Sequence, residues 1–341
     1  MDRFVQLPPA ERRTYFEQTA GRMRLNPQII EKDFWVCWTL RELFALPAIG
    51  DTLIFKGGTS LSKVYRLIER FSEDIDVSID RGSLGMDDAS SPEDNRIGTK
   101  ERQRRIARLK TLCQRKIYDE LQPAMMAVIK AKISGMEEWS LTLDAGDPEQ
   151  QTLLFQYPAS MPIAGSAYIR STVKIEMGAR SDHWPSDQKK IASYVAEQFP
   201  GAFTPADFSV KVLVAERTFW EKATLLHAEY HRPPDKELPA RLSRHYYDMA
   251  RFILAGIGDQ AKGQPALLQR VVEHKKIFFS SGWAHYDEAK PGSLRLTPAP
   301  ERVKALEDDY DRMQEMFFAE RPSFADILRT IGEWENLFNR S

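Results

Sequence analysis

Cysteine is nearly absent: Cys37 and Cys113 are the two in 341 residues. Far apart and each within a helical pattern, they supply neither a disulfide framework nor a zinc ligand set, which points to a reducing compartment. No apolar run approaches membrane-spanning length, and the opening MDRFVQLPPAERR has no apolar stretch of the signal-peptide kind, so a cytoplasmic location with no membrane partner is expected. An excess of one charge is missing too. With a formal net charge of −1, any nucleic-acid surface must be regional. There is no repeat and no low-complexity tract.

The chain has an ordinary globular composition, 42% hydrophobic and 28% charged, at a length that suits two domains. NPQIIEKDFWVCWTLRELFAL (26–46) spaces its apolar residues as a core-packed helix, with Asn26 and Pro27 as cap and first turn. TLIFKGG reads as a short buried strand ending in glycines, and LSKVYRLIER as a helix with Leu61, Val64, Tyr65 and Ile68 on one face. DIDVSID alternates with the period of a strand. Residues 81–99 read as a mobile loop, and a long helix over 100–118 follows, carrying eight Lys or Arg against one acidic residue. SLTLDA, QTLLFQYP and AYIRSTVKIEMGAR read as strands that complete a mixed sheet. From about residue 203 a short strand, FSVKVLV, is followed by helical patterns. The expectation is an α+β chain: 1–202 a sheet domain with N-terminal helices, 203–341 a helical C-terminal domain completing the active-site cleft.

The chemistry concentrates in FKGGTSLSKVYRLIERFSEDIDVSID (55–80). Glycines at 57 and 58 let a backbone approach an anion, and a helix start beyond them favours phosphate. Thr59, Ser60 and Lys63 could add hydroxyl and ammonium contacts; a glycine turn with a hydroxyl cap is the plainer reading of those residues alone. Asp74 and Asp76, two apart on a strand, project from one face, where their charges repel unless protonated or bridged by a hard cation such as Mg²⁺. A solvated strand end would show the same pair. Glu176, with Lys174 on the same face of its strand, is a candidate third acidic ligand and phosphate contact, or a surface ion pair.

These segments, with IIEKDFWV before and AERTFWEK and RHYYDMARFI after, resemble the AbiEii/AbiGii toxin family of nucleotidyltransferases, in order over roughly residues 26–255. The resemblance implies a polymerase-β-like nucleotidyltransferase core with a helical C-terminal domain. It implies that Gly57, Gly58, Thr59 and Ser60 hold an NTP triphosphate and that Asp74 and Asp76 hold Mg²⁺. It further places functional residues at Lys222 and Asp248, the first to neutralise triphosphate charge, the second to orient a base, a sugar or Lys222. On sequence alone Glu221–Lys222 is a solvated pair and Asp248 a partner of Arg244 one turn earlier. His245 stands where the family often has an Asp in R-D-x-x-D.

The reaction so implied is Mg²⁺-dependent transfer of NMP from an NTP to the 3′ acceptor end of tRNA or another RNA, by a toxin of a toxin–antitoxin or abortive-infection system that a cognate antitoxin restrains. The basic helix, with Arg102, Arg104, Arg105, Arg108, Lys110, Arg115 and Lys116, is the candidate RNA track. Two alternatives stay open: nucleotidylation of a protein, and a non-catalytic GTP- or NTP-binding module.

Overall fold

The computed structural model describes residues 1–136, 138–161, 170–318 and 320–340. It separates into two compact units, residues 1–64, 72–94 and 98–212 in the first and residues 65–71, 95–97 and 213–341 in the second. This division lies later than the expected 202/203 boundary, and two inner stretches join the second unit.

The first unit holds helices α1 (Asp2–Val5), α2 (Pro9–Met23), α3 (Pro27–Phe44), α4 (Gly57–Lys63), α5 (Thr99–Arg115), α6 (Gln122–Lys132) and α7 (Tyr194–Gln198). Its strands are β1 (Leu53–Lys56), β2 (Ile75–Ile79), β3 (Ser140–Leu143), β4 (Thr152–Gln156), β5 (Thr172–Gly178), β6 (Ser186–Ile191) and β7 (Phe208–Leu213). They form one seven-stranded sheet in the order β3-β4-β5-β2-β1-β7-β6. The sheet is mixed: β1 runs antiparallel to β2 and parallel to β7, while β2 and β5 are parallel. The expected α+β fold with a mixed sheet and flanking helices is therefore present. Residues 167–169 of the expected fifth strand lie outside the described residues.

Alternation places the site residues. In β5, Val173, Ile175 and Met177 are buried while Lys174 and Glu176 are half-exposed; in β2, Ile75, Val77 and Ile79 are buried and Asp76 is half-exposed. Against this sheet lies α3, capped by Asn26, whose side chain accepts from the Gln28 N–H at 2.9 Å. Trp35 stacks on Tyr157 at 5.4 Å and Trp38 on Phe155 at 5.7 Å. Each such pair adds about 1 kcal/mol beyond its buried area.

Three expectations need correction. The helix after the glycines stops at Lys63 instead of running to residue 70, because Arg66 takes a left-handed φ of 52° that a helix cannot accommodate. β6 was not anticipated: its SDQKKI sequence is polar because it is an edge strand exposed over most of its length. The basic helix does not end near 118 but continues through a π-helical turn, Lys116–Leu121, into α6. Pro123 lacks the N–H that a regular helix would need there. The loop after β2 is fastened by Arg81, which donates to the carbonyls of Ala179 and Arg180 and pairs with Glu93.

The second unit comprises α8 (Ala215–Tyr230), α9 (Ser243–Leu254), α10 (Ile257–Lys262), α11 (Pro265–Phe278), α12 (Val303–Arg312) and α13 (Phe324–Asn339). Phe219, Trp220, Phe252, Trp334 and Phe338 interlock at its centre, with Trp334 stacked on Phe338 at 5.1 Å. His227 is buried here with both ring nitrogens in use: Nδ1 accepts from the Arg295 N–H at 3.0 Å and Nε2 donates to the His285 carbonyl at 3.0 Å.

Such a histidine must stay neutral, and burial lowers it from 6.5 to about 4; His183 in the first unit is lowered to about 4 for the same reason. The unfolded chain binds protons that these folded rings refuse, so stability is full above about pH 6.5 and falls as pH drops towards 4. The melting temperature should decrease from about pH 7 to about pH 4.5, and His227→Gln should flatten that slope. A pH-independent melting temperature over that range would refute this.

Candidate active site

The turn between β1 and α4 is built around a missing side chain. Gly57 has φ +76°, and a Cβ placed there would lie 1.9 Å from Asp76 Oδ2. The Asp76 carboxylate therefore rests directly against the glycine, opposite Lys56 in the β1–β2 register. Thr59 and Ser60 are almost wholly buried. Ser60 Oγ donates to the Gly57 carbonyl at 2.8 Å, and Thr59 Oγ1 donates to the Asp74 carbonyl at 2.5 Å while lying 2.9 Å from Ser72 Oγ. These hydroxyls brace the turn against the approach to β2, and half-exposed Gly57 and Gly58 present backbone to solvent.

Asp74 immediately precedes β2, and Glu176 is the in-register neighbour of Asp76 on β5. Burial, reinforced by the charges of Glu176, Asp76 and Glu73, pushes Asp74 up to about 6, with Lys174 opposing. Glu176 turns to Lys174, 2.6 Å away. Glu73 is paired with Lys32 at 2.9 Å, and Lys32 also donates to the carbonyls of Arg170 and Thr172 at the start of β5. Among the described residues no group of three His, Cys, Asp or Glu side chains is assembled to hold a metal ion. The carboxylate oxygens of Asp74 and Asp76 nevertheless are the hard donors that suit a divalent cation such as Mg²⁺.

Lys63 is not at the turn's open side. Its ammonium is buried 2.7 Å from Asp33 and 3.7 Å from the centre of the Tyr194 ring. Asp33 also accepts from the Tyr194 N–H. An expected phosphate contact is thus part of a core ion pair, since one helical turn carries the side chain inward.

In the second unit the bland reading of Lys222 and Asp248 fails. Glu221 pairs with Arg217, and Lys222 is buried, 2.9 Å from Asp248 Oδ2 and 3.1 Å from His245 Nδ1. Asp248 is fully buried and bonded not to Arg244 but to Arg70, which donates Nε to Oδ1 and Nη2 to Oδ2, both at 2.8 Å. Burial opposes its charge, yet Arg70 and Lys222 hold it well below the usual carboxylate range. His245, where the family often has Asp, is kept neutral by burial and by the adjoining Lys222 and Arg244 charges.

Lys32 and Arg70, which contact Glu73 and Asp248, were not among the expected site residues. For Lys32 a signal existed: Glu31, Lys32 and Asp33 interrupt an otherwise apolar helix, and all three are buried with partners. For Arg70 there was none, as its partner lies 178 residues away.

On α5, Arg102 and Arg105 donate to loop carbonyls of residues 91–94, Lys110 pairs with Glu149 and Lys116 with Glu120. Arg104 is paired with Glu101 but exposed, as are Arg108 and Arg115.

Gly57→Ala tests the turn. A methyl group would strain the left-handed backbone by about 1–2 kcal/mol and displace Asp76. The nucleotidyl transfer that the resemblance implies should drop about a hundredfold, the effect of ångström-scale misplacement, with a small change in melting temperature. Wild-type activity in Gly57→Ala would exclude a role for this contact.

The family model described as nucleotidyl transferase AbiEii toxin, type IV toxin–antitoxin system, matches residues 38–330. The match begins after IIEKDFWV and runs well beyond residue 255. No curated protein matches significantly. Among solved structures the chain is similar to MenT4, a nucleotidyltransferase toxin from Mycobacterium tuberculosis H37Rv, at 16% identity over 95% of this chain and 97% of that one, with a TM-score of 0.46. That likeness is too loose to bear on individual residues. No described helix is long and apolar enough to cross a membrane. The match over most of the length makes this chain a member of the AbiEii family of nucleotidyltransferase toxins of type IV toxin–antitoxin systems.

Proposed function

We propose that the protein transfers a nucleoside monophosphate from an NTP to the 3′ acceptor end of tRNA and so blocks translation, under restraint by a cognate antitoxin. The observation that carries the reading is the Asp76 carboxylate seated on Gly57, which puts an anionic side chain beside a backbone turn open to phosphate. The RNA 3′-oxygen forms a bond to the α-phosphorus, the bond from that phosphorus to the bridging oxygen breaks, and pyrophosphate leaves with its electron pair. Mg²⁺ held by Asp74 and Asp76 would screen phosphate charge and favour ionisation of the attacking hydroxyl. The carboxylate of Asp76 or Glu176 takes the hydroxyl proton. Gly57 and Gly58 receive the phosphates through backbone N–H groups, and Lys174 can exchange Glu176 for a phosphate oxygen. Lys222 keeps the role that the family resemblance implies, neutralising triphosphate charge, and Asp248 orients it. Exposed Arg104, Arg108 and Arg115 of α5 support a phosphate-backbone contact with RNA that reads no sequence.

Purified protein with Mg²⁺, total tRNA and each labelled NTP should label RNA, and Asp76→Ala should abolish incorporation while leaving the melting temperature nearly unchanged. Label in protein instead would favour the alternative acceptor. Incorporation into neither, for any NTP, would refute both. Replacing Arg108 and Arg115 by Glu should weaken tRNA affinity about tenfold or more at low salt and flatten its salt dependence, with NTP binding unchanged. Unaltered tRNA affinity would eliminate α5 as the track.

A further inference from the structure

We propose that Arg70 is a positioning residue of the transfer reaction, acting through Asp248 to aim Lys222 at a phosphate oxygen; the inference rests on the nucleotidyl-transfer reading. Arg70 grips both oxygens of Asp248 in a bidentate pair at 2.8 Å, so the carboxylate plane cannot turn. Lys222 shares Oδ2 with it from another direction, at 2.9 Å. An ammonium has three N–H donors. Two are taken, by Asp248 Oδ2 and by His245 Nδ1, and tetrahedral geometry then fixes the direction of the third. The Lys222 side chain is 11% exposed whereas that of Asp248 is fully buried, so the donor left over is the one that reaches an incoming group.

Charge gives the same result. Arg70 and Lys222 bring two positive charges to one carboxylate, and His245, accepting from the ammonium, is neutral. The Asp248 carboxylate is thus held between two cations, and Lys222 is not its sole counter-charge. Without the guanidinium, Lys222 and Asp248 cancel, and the carboxylate is free to turn both oxygens to the lysine. The segment itself does not depend on that side chain: Phe71 N–H donates to the Met316 carbonyl at 2.6 Å, Phe318 N–H to the Glu69 carbonyl at 3.1 Å and Glu69 N–H to Tyr247 Oη at 3.2 Å.

The test measures binding of tripolyphosphate and of each NTP with Mg²⁺, without an acceptor, to the full chain and its variants. Arg70→Gln should weaken binding about tenfold, the worth of one charge-assisted hydrogen bond. Arg70→Lys, which keeps the charge but not the fork, should fall between the two. Combining Arg70→Gln with Asp248→Asn should recover much of the lost affinity, because Lys222 regains an uncancelled charge; a merely structural anchor predicts no such recovery. Wild-type affinity in Arg70→Gln, or a double variant no better than the single, overturns the inference alone. Failure of the wild type to bind either ligand overturns it together with the transferase reading. Should Arg70→Gln melt below the assay temperature, Arg70→Lys decides, and wild-type affinity there counts against the proposal.

Discussion

The absence of a side chain at position 57 is the constraint on which the first unit's site depends. Only a glycine accepts φ +76° without strain while leaving room for a carboxylate on its α-carbon. Asp76 fills that room, and the β1–β2 pairing holds it there. The parallel pairing of β2 with β5 then sets Glu176 beside Asp76, and Thr59 ties the turn to the backbone of Asp74. Like charges are thus gathered by backbone geometry against their own repulsion. Burial first, and the charges of Glu176, Asp76 and Glu73 after it, raise the affinity of Asp74 for its proton.

Buried charge is the second theme, and each instance has a partner. Glu31 accepts from Ser160 and Met161, Lys32 meets Glu73 and two carbonyls, and Asp33 meets Lys63. In the second unit Arg70, Lys222 and Asp248 form the corresponding cluster. Removing one partner from such a group leaves an uncompensated charge, at a cost of about 3–5 kcal/mol. Lys63 and Lys222 show how one residue type is put to two uses. The first ends in the core against a carboxylate and an aromatic ring; the second keeps a tip at the surface.

The strands that carry the site were legible because alternation is a local signal: Ile75, Val77 and Ile79 on one side of β2 and Val173, Ile175 and Met177 on one side of β5 could only be buried together. The Asn26 cap and the buried face of α3 were legible for the same reason. Polar β6 carried no such pattern, since an edge strand buries little. The helix after the glycines looked longer than it is, because the apolar spacing of Leu67 and Ile68 continues past the left-handed Arg66 and serves packing in the second unit instead.

By itself the sequence determined the order strand, glycine turn, helix, strand, and the alternation that buries one side of β2 and of β5. Those are consequences of residue type and short spacing, fixed before the chain folds. Only the tertiary structure decided that Lys63 turns inward to Asp33, that Thr59 and Ser60 brace the turn, and that Asp248 is bonded to Arg70 instead of Arg244. Each of these depends on which distant backbone or charge is brought within about 3 Å of a polar atom, and that is set by packing across the whole chain.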